Sequence, residues 1–167
     1  MQLRDVVESD LPIFFEHQRD PEAVAMAQAP SRDHDAFMEH WRTKVLGNPR
    51  TKTKTIVVDA DVVAGNVSSW EVVAGAPFGH ADGERVVGYW IARPYWGRGI
   101  ATAALARFVA DYETRRPVFA YVAVQNVGSL RVLEKCGFRR VGDPIAASDG
   151  VVEVRMALTS NAVNVGA

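Results

Sequence analysis

A single cysteine in 167 residues, Cys136, removes two kinds of architecture at once. An internal disulfide needs a pair, and a cysteine metal site needs several. Cys136 stands among apolar neighbours just before Gly137, the setting of a buried, inert thiol rather than a nucleophile. An excess of one charge is also lacking: 19 Lys and Arg face 20 Asp and Glu, for a net charge of -1. With no long basic block, nucleic acid is not the indicated partner. The one basic cluster, Arg50-Thr51-Lys52-Thr53-Lys54, alternates with Thr and reads as a solvated loop or edge strand. No apolar run approaches the roughly 20 residues of a membrane-spanning helix. No basic-then-apolar leader opens the chain. The expectation is a cytoplasmic protein with no membrane partner and no metal. Linkers, repeats and low-complexity segments are missing too, so residues 1–158 read as one domain with a sizeable core. Residues 159–167 are small and polar, a tail expected to fray.

What is there is concentrated in one run, Gly88 to Thr102. Its first part is apolar and aromatic, which favours a strand. Pro94 ends the strand because it has no N–H for a ladder. Gly97 and Gly99 allow a tight loop that a ligand can approach closely. From Thr102 to Tyr112, Leu105, Phe108, Val109 and Tyr112 fall at helical spacing. A glycine loop feeding a helix start offers free N–H groups and the positive end of the dipole, a site suited to phosphate. A P-loop would need Lys then Ser or Thr after its second glycine, but Gly99 is followed by Ile100 and Ala101. A dinucleotide fingerprint would follow an early strand, with an acidic residue about 20 positions on. This loop lies past the middle of the chain and lacks that context.

The remaining elements follow in order. Residues 1–7 read as a short strand, then a helix capped by Ser9 or Asp10 runs to Gln18. Residues 23–29 carry a weak helical pattern, and a clearer one runs from Ser31 to Leu46. Residues 55–58 and 62–72 read as a hairpin, with a glycine- and proline-rich loop over 73–84. That loop is long for its place, a hint of function or mobility. Strands are expected at 85–92, 117–124, 139–141 and 151–158, with a helix from Asn126 to Gly137. The sum is a mixed α/β sheet with helices on both faces.

Two blocks carry a family resemblance. Trp96-Gly97-Arg98-Gly99-Ile100-Ala101 resembles the acetyl-CoA loop of the GNAT superfamily of N-acetyltransferases, written Q/R-x-x-G-x-G/A. Gly99 and Ala101 match; Trp96 replaces Gln or Arg. The stretch Asn126 to Phe138 is similar to the N-x-x-S-x-r-v-l-e-K-x-G-F block of the branch containing the ribosomal-protein N-terminal acetyltransferases. Together they span about the central third of the chain. The resemblance implies the GNAT fold, acetyl-CoA as co-substrate, and direct transfer to a primary amine, either a protein N-terminus or a small molecule. It implies that strands ending near Ala92 and Val124 splay apart to admit the pantetheine arm. Backbone N–H groups of Gly97, Arg98, Gly99, Ile100, Ala101 and Thr102 would hold the pyrophosphate, and Arg98 would add charge.

The same resemblance puts an oxyanion donor at the N–H of Ile91 or Ala92, on a bulge of the central strand. Asn126 would bond pantetheine, cap its helix, or both. The family's usual thiolate-protonating Tyr falls at Leu133, so Ser129 is the candidate acid. Candidate bases are Glu153, Glu71, Glu84, His34 and His40, with Glu153 favoured because it lies between valines on the last strand. A non-catalytic acyl-CoA sensor and an oligomeric scaffold with a vestigial loop are the competing readings. A homodimer is compatible with each of them.

Overall fold

Hydrophobic alternation and helical spacing resolve into one eight-stranded sheet in the computed structural model, which describes residues 1–28, 32–73, 81–146 and 150–160. The strands are β1 (Gln2–Arg4), β2 (Lys52–Val58), β3 (Val62–Glu71), β4 (Arg85–Ile91), β5 (Val118–Ala123), β6 (Arg139–Arg140), β7 (Ile145–Ala146) and β8 (Val152–Leu158). The helices are α1 (Leu11–Gln18), α2 (Pro21–Ala27), α3 (His34–His40), α4 (Ile100–Asp111) and α5 (Val127–Lys135). The spatial order is β1-β2-β3-β4-β5-β8-β6, with β7 also on β8. Every pairing is antiparallel except β4 with β5.

Alternation sorts the sheet's two faces. Val87 and Ile91 of β4, Val118, Ala120 and Val122 of β5, and Val154, Met156 and Leu158 of β8 share a core with Leu105, Phe108 and Val109 of α4 and Leu130 and Leu133 of α5. The helices α1 and α3 make a second cluster, with Leu11, Phe14, Phe37, Met38 and Trp41 packed on Val63. Phe14 and Trp41 pack with ring centroids 4.9 Å apart and their planes tilted by 40°.

Several local expectations need correction. Asp10 stands at the N-cap of α1, as one of the two expected residues, but its side chain makes no cap hydrogen bond to the helix. It is buried and accepts from Arg4 at 2.6 and 2.7 Å, from the Thr55 hydroxyl at 2.6 Å and from the Val7 N–H. Asp20 caps α2, a full helix, and Asp33 caps α3. Ser31 lies outside the described residues, and beyond His40 the helix widens into a π-helical stretch, Trp41–Leu46. The basic cluster is loop and then open strand, as expected: Arg50 and Thr51 precede β2, and Lys52, Thr53 and Lys54 pair with β3 alone, since β1 reaches only Thr55, Ile56 and Val57. Lys52 donates to the Tyr112 carbonyl and Lys54 pairs with Asp5. The short strand β7 carries no hydrophobic alternation to announce it. Residues 74–80 of the long loop, and 161–167 of the tail, lie outside the described residues.

The β2/β3 register slips by one residue beside Ala64. Next to it, a Cβ on Gly65 would lie 1.9 Å from the Trp90 carbonyl oxygen. Backbone would have to move to relieve that clash, as in other overpacked sites. Gly65→Ala is expected to cost about 1–3 kcal/mol, read as a lower urea midpoint at unchanged m-value.

Candidate active site

The site begins where the sheet divides. The β3/β4 ladder runs unbroken from Glu71↔Arg85 to Gly65↔Ile91 and continues with Ala92 N–H on the Ala64 carbonyl at 2.9 Å. Val72 N–H also donates to the Glu84 carbonyl, which fixes the parity of the ladder. Ala92, Trp90, Gly88 and Val86 therefore spend their backbone groups on β3, while Val87, Tyr89 and Ile91 turn theirs toward β5. Yet β4 and β5 register at one pair only, Val86↔Phe119. Past that rung the strands separate, and the N–H groups of Tyr89 and Ile91 face the split without a ladder partner. The bulge expected in the central strand is not there. The Ala92 N–H is occupied, so of the two expected oxyanion donors Ile91 alone points into the opening.

The glycine loop sits at the mouth of this split. A single 3-10 turn, Arg93–Tyr95, leads into Gly97 and Gly99, with φ of +72° and +75°. Both conformations suit glycine, and a Cβ at either would meet open space. Gly99 is the N-cap of α4 and offers no side-chain cap. The first helical bond is Ala103 N–H on the Gly99 carbonyl, so the N–H groups of Ile100, Ala101 and Thr102 are left over. Arg98 is half-exposed, 5.6 Å over the Tyr95 ring and 3.9 Å from Asp59. The Trp96 indole is a tether: its Nε1 donates to the Ile91 carbonyl at 2.7 Å and ties the loop back to the end of β4.

Across the split, Asn126 caps α5, its Oδ1 accepting from Ser129 N–H at 3.0 Å. The Ser129 hydroxyl lies 2.6 Å from the Tyr89 hydroxyl. Burial, countered in part by the Ser129 hydrogen bond, pushes the Tyr89 phenol up to about 12. Nothing in the sequence singles out Tyr89 beyond its place on a strand; 40 residues separate it from Ser129. Leu133, at the usual Tyr position, is buried in the core. Cys136 is buried and its thiol is pushed up to about 11 by that burial, so it is not poised as a nucleophile.

The candidate bases separate on position. Glu71 lies at the far end of β3, 3.3 Å from Arg50 and 3.7 Å from Arg115. Glu84 accepts from the Tyr121 hydroxyl at 2.5 Å and pairs closely with Arg155. His34 is exposed at the start of α3, bonded to Asp35 at 3.0 Å. His40 sits at the end of α3, its pKa lowered by burial and then by nearby cations. Glu153 is half-buried on β8, opposite Ala123 at the top of β5. Its neighbour Val154 faces the α4/α5 core, so alternation turns Glu153 to the other face. On α1, His17 is a further titratable group without a sequence signal: burial lowers its pKa, and its Nδ1 has no partner among the described residues. No group of three or more metal-ligating side chains occurs among the described residues. No described helix is long and apolar enough to cross a membrane.

Residues 1–139 match the family profile of the acetyltransferase (GNAT) domain. The chain belongs to the GNAT acetyltransferase family. This GNAT chain is 35% identical over 86 residues to a probable N-acetyltransferase, YjcK, of Bacillus subtilis. The match takes in 49% of the chain and 44% of that relative, so it spans less than half of the relative's length. Among solved structures, spermidine N-acetyltransferase from Vibrio cholerae, in complex with CoA and spermine, superposes with a TM-score of 0.76 at 17% identity. That alignment covers 95% of this chain and 94% of the other. The aminoglycoside acetyltransferase AAC(6')-Ib, with coenzyme A and kanamycin, gives 0.76 at 21% identity over 95% and 94%. At these identities the likeness is one of fold, and it places the present sheet and helices in the GNAT architecture.

Proposed function

We propose that this GNAT domain transfers the acetyl group of acetyl-CoA directly to a primary amine within a ternary complex. The observation that carries it is the pairing of an uncapped α4 start with a sheet split into which Tyr89 and Ile91 turn their N–H groups. The amides from Gly97 to Thr102, with Arg98, suit a pyrophosphate. The Ile91 N–H suits a thioester carbonyl oxygen as charge builds on it. Ser129 donates to the departing sulfur, and Tyr89 stands behind it as proton reservoir. Glu153, on the opposite face, takes the amine's proton. Acid and base then flank the split from two sides, as one transfer through it requires. No covalent acetyl-enzyme is expected, since neither cysteine nor activated serine is offered.

The acceptor class is a primary amine, on a small molecule or a protein N-terminus. Support for small amines comes from the spermine and kanamycin held by the structural neighbours. Support for N-termini comes from the Asn126–Phe138 block. The test is thiol release from acetyl-CoA with a panel of amines, beside calorimetric binding of acetyl-CoA. Gly99→Trp puts an indole into the open space over the α4 start, and is expected to weaken acetyl-CoA binding at least tenfold. Unchanged binding in that variant would remove the phosphate loop from the proposal. Binding without thiol release for any amine would favour a sensor over an enzyme.

A further inference from the structure

On the sheet face turned away from α4 and α5, Asn66 and Trp90 stand side by side. They are register partners on β3 and β4, in a hydrogen-bonded pair by the ladder's parity. Such pairs hold their Cα atoms about 5.5 Å apart. Asn66 is 7% exposed. Its Nδ2 and the Nε1 of Trp90 are both buried, and neither has a partner among the described residues. An indole Nε1 only donates. A third such donor, the Nε of Arg155, lies on the same face across the split. Buried donors are nearly always satisfied, and those that are not call for a ligand or an ordered water.

Their position says which ligand. Trp90 directly precedes Ile91, whose N–H faces the split. Neighbouring strand residues are about 3.3 Å apart. An amine attacking a carbonyl held at Ile91 would thus bring its next one or two atoms over the Asn66–Trp90 pair. Donors ask for an oxygen acceptor there. The carboxylate of Glu84 on this side is already matched by Arg155, which lessens the pull on a polycation.

Resting on the acetyl-transfer reading above, we infer that Asn66 and Trp90 form an oxygen-reading pair. They select amines that carry a hydroxyl or carbonyl oxygen beside the nitrogen over bare alkyl polyamines. A site that hydrogen-bonds such an oxygen rejects analogues lacking it, because its own buried groups are then left unpaired.

The test uses the full ¹⁵N-labelled chain with CoA present, titrated separately with glucosamine, glycinamide and 1,4-diaminobutane. Trp90→Phe assigns the Trp90 indole resonance among the four tryptophans, and Asn66→Asp assigns the Asn66 amide. The expected result is movement of both resonances with glucosamine or glycinamide, and none with diaminobutane. Which of the two oxygen-bearing amines acts separates a sugar hydroxyl from a peptide carbonyl. Equal movement with diaminobutane, or none with any amine because a water satisfies the pair, overturns the inference. In thiol-release assays, Trp90→Phe is expected to lower the ratio of kcat/KM for the oxygen-bearing amine over diaminobutane about tenfold. An unchanged ratio also overturns it. Absence of thiol release with every amine would sink the catalytic reading alone, since the titration reads the pair directly.

Discussion

Glu113→Ala is expected to destabilise the protein by about 3–5 kcal/mol at neutral pH, the usual cost of breaking a buried ion pair from one side. For a domain of this size that lowers Tm by about 10 °C. Glu113 is fully buried just past α4. One oxygen accepts from the Ser69 hydroxyl at 2.7 Å and from Arg85 Nε at 2.5 Å. The other lies 3.6 Å from Arg115 and 3.8 Å from Lys52. Removing the carboxylate leaves Arg85, itself 5% exposed, without its main counter-charge. The effect has a pH signature. Burial alone would raise the Glu113 pKa, but the Ser69 and Arg85 hydrogen bonds and the Arg85 and Lys52 charges outweigh it, and the pKa is held below 4.5. A depressed folded pKa means stability that is fully present above the unfolded value and is lost as pH falls through the folded one. Wild type and variant should therefore differ most at pH 7, and the gap should close only as the pH falls through the depressed folded value. Thermal melts across that range check this; a constant gap would mean that packing, not charge, holds the site. The clamp also matters for chemistry. It fixes the end of α4 to β3 and β4, and the other end of that helix carries the glycine loop.

Ser129→Ala and Tyr89→Phe should each lower kcat by about 10²-fold, the lower end for losing a positioned acid. KM for acetyl-CoA should change little, because the glycine loop proposed to hold the pyrophosphate is untouched. The double variant should be scarcely worse than either single one, since two members of one relay do not add. With its phenol near 12, Tyr89 stays protonated through the neutral range, so no alkaline decline in kcat below about pH 11 should trace to it. Single-turnover thiol release in the four proteins is the measurement. Additive losses would show that the 2.6 Å contact is structural and that Ser129 draws its proton from elsewhere.

The parts of the molecule legible in sequence are those with local causes. The loop and α4 follow from two glycines and a helical stripe within 25 residues, and α5 from Asn126 and its own spacing. The strand Val118–Ala123 is plain because its residues are apolar on both faces. What sequence could not show arises across the sheet. The hydrogen-bonding parity that separates Ile91 from Ala92 depends on which residues of β3 lie opposite. The Tyr89–Ser129 contact joins a strand to a helix 40 residues later. Asp10 has the profile of a helix cap and stands at the N-cap of α1, but only tertiary packing shows that its carboxylate turns to Arg4 and Thr55 rather than to the helix. The candidate acid and base, Ser129 and Glu153, could be named from the chain. Their opposite sides of the split required the register of β5 and β8.

The single rung at Val86↔Phe119 gives the sheet a seam. On one side β1 to β4 form a half with complete internal ladders; on the other, β5, β8, β6 and β7 form a second. Above the rung the halves are joined through helix packing rather than through backbone. A ligand that threads the opening and bonds Tyr89 and Ile91 would act as a temporary strand, completing the ladder that the chain leaves unfinished. Binding energy and fold cohesion would then be partly the same quantity. Amide exchange at these two positions would slow on loading, and each release of product would reopen the seam.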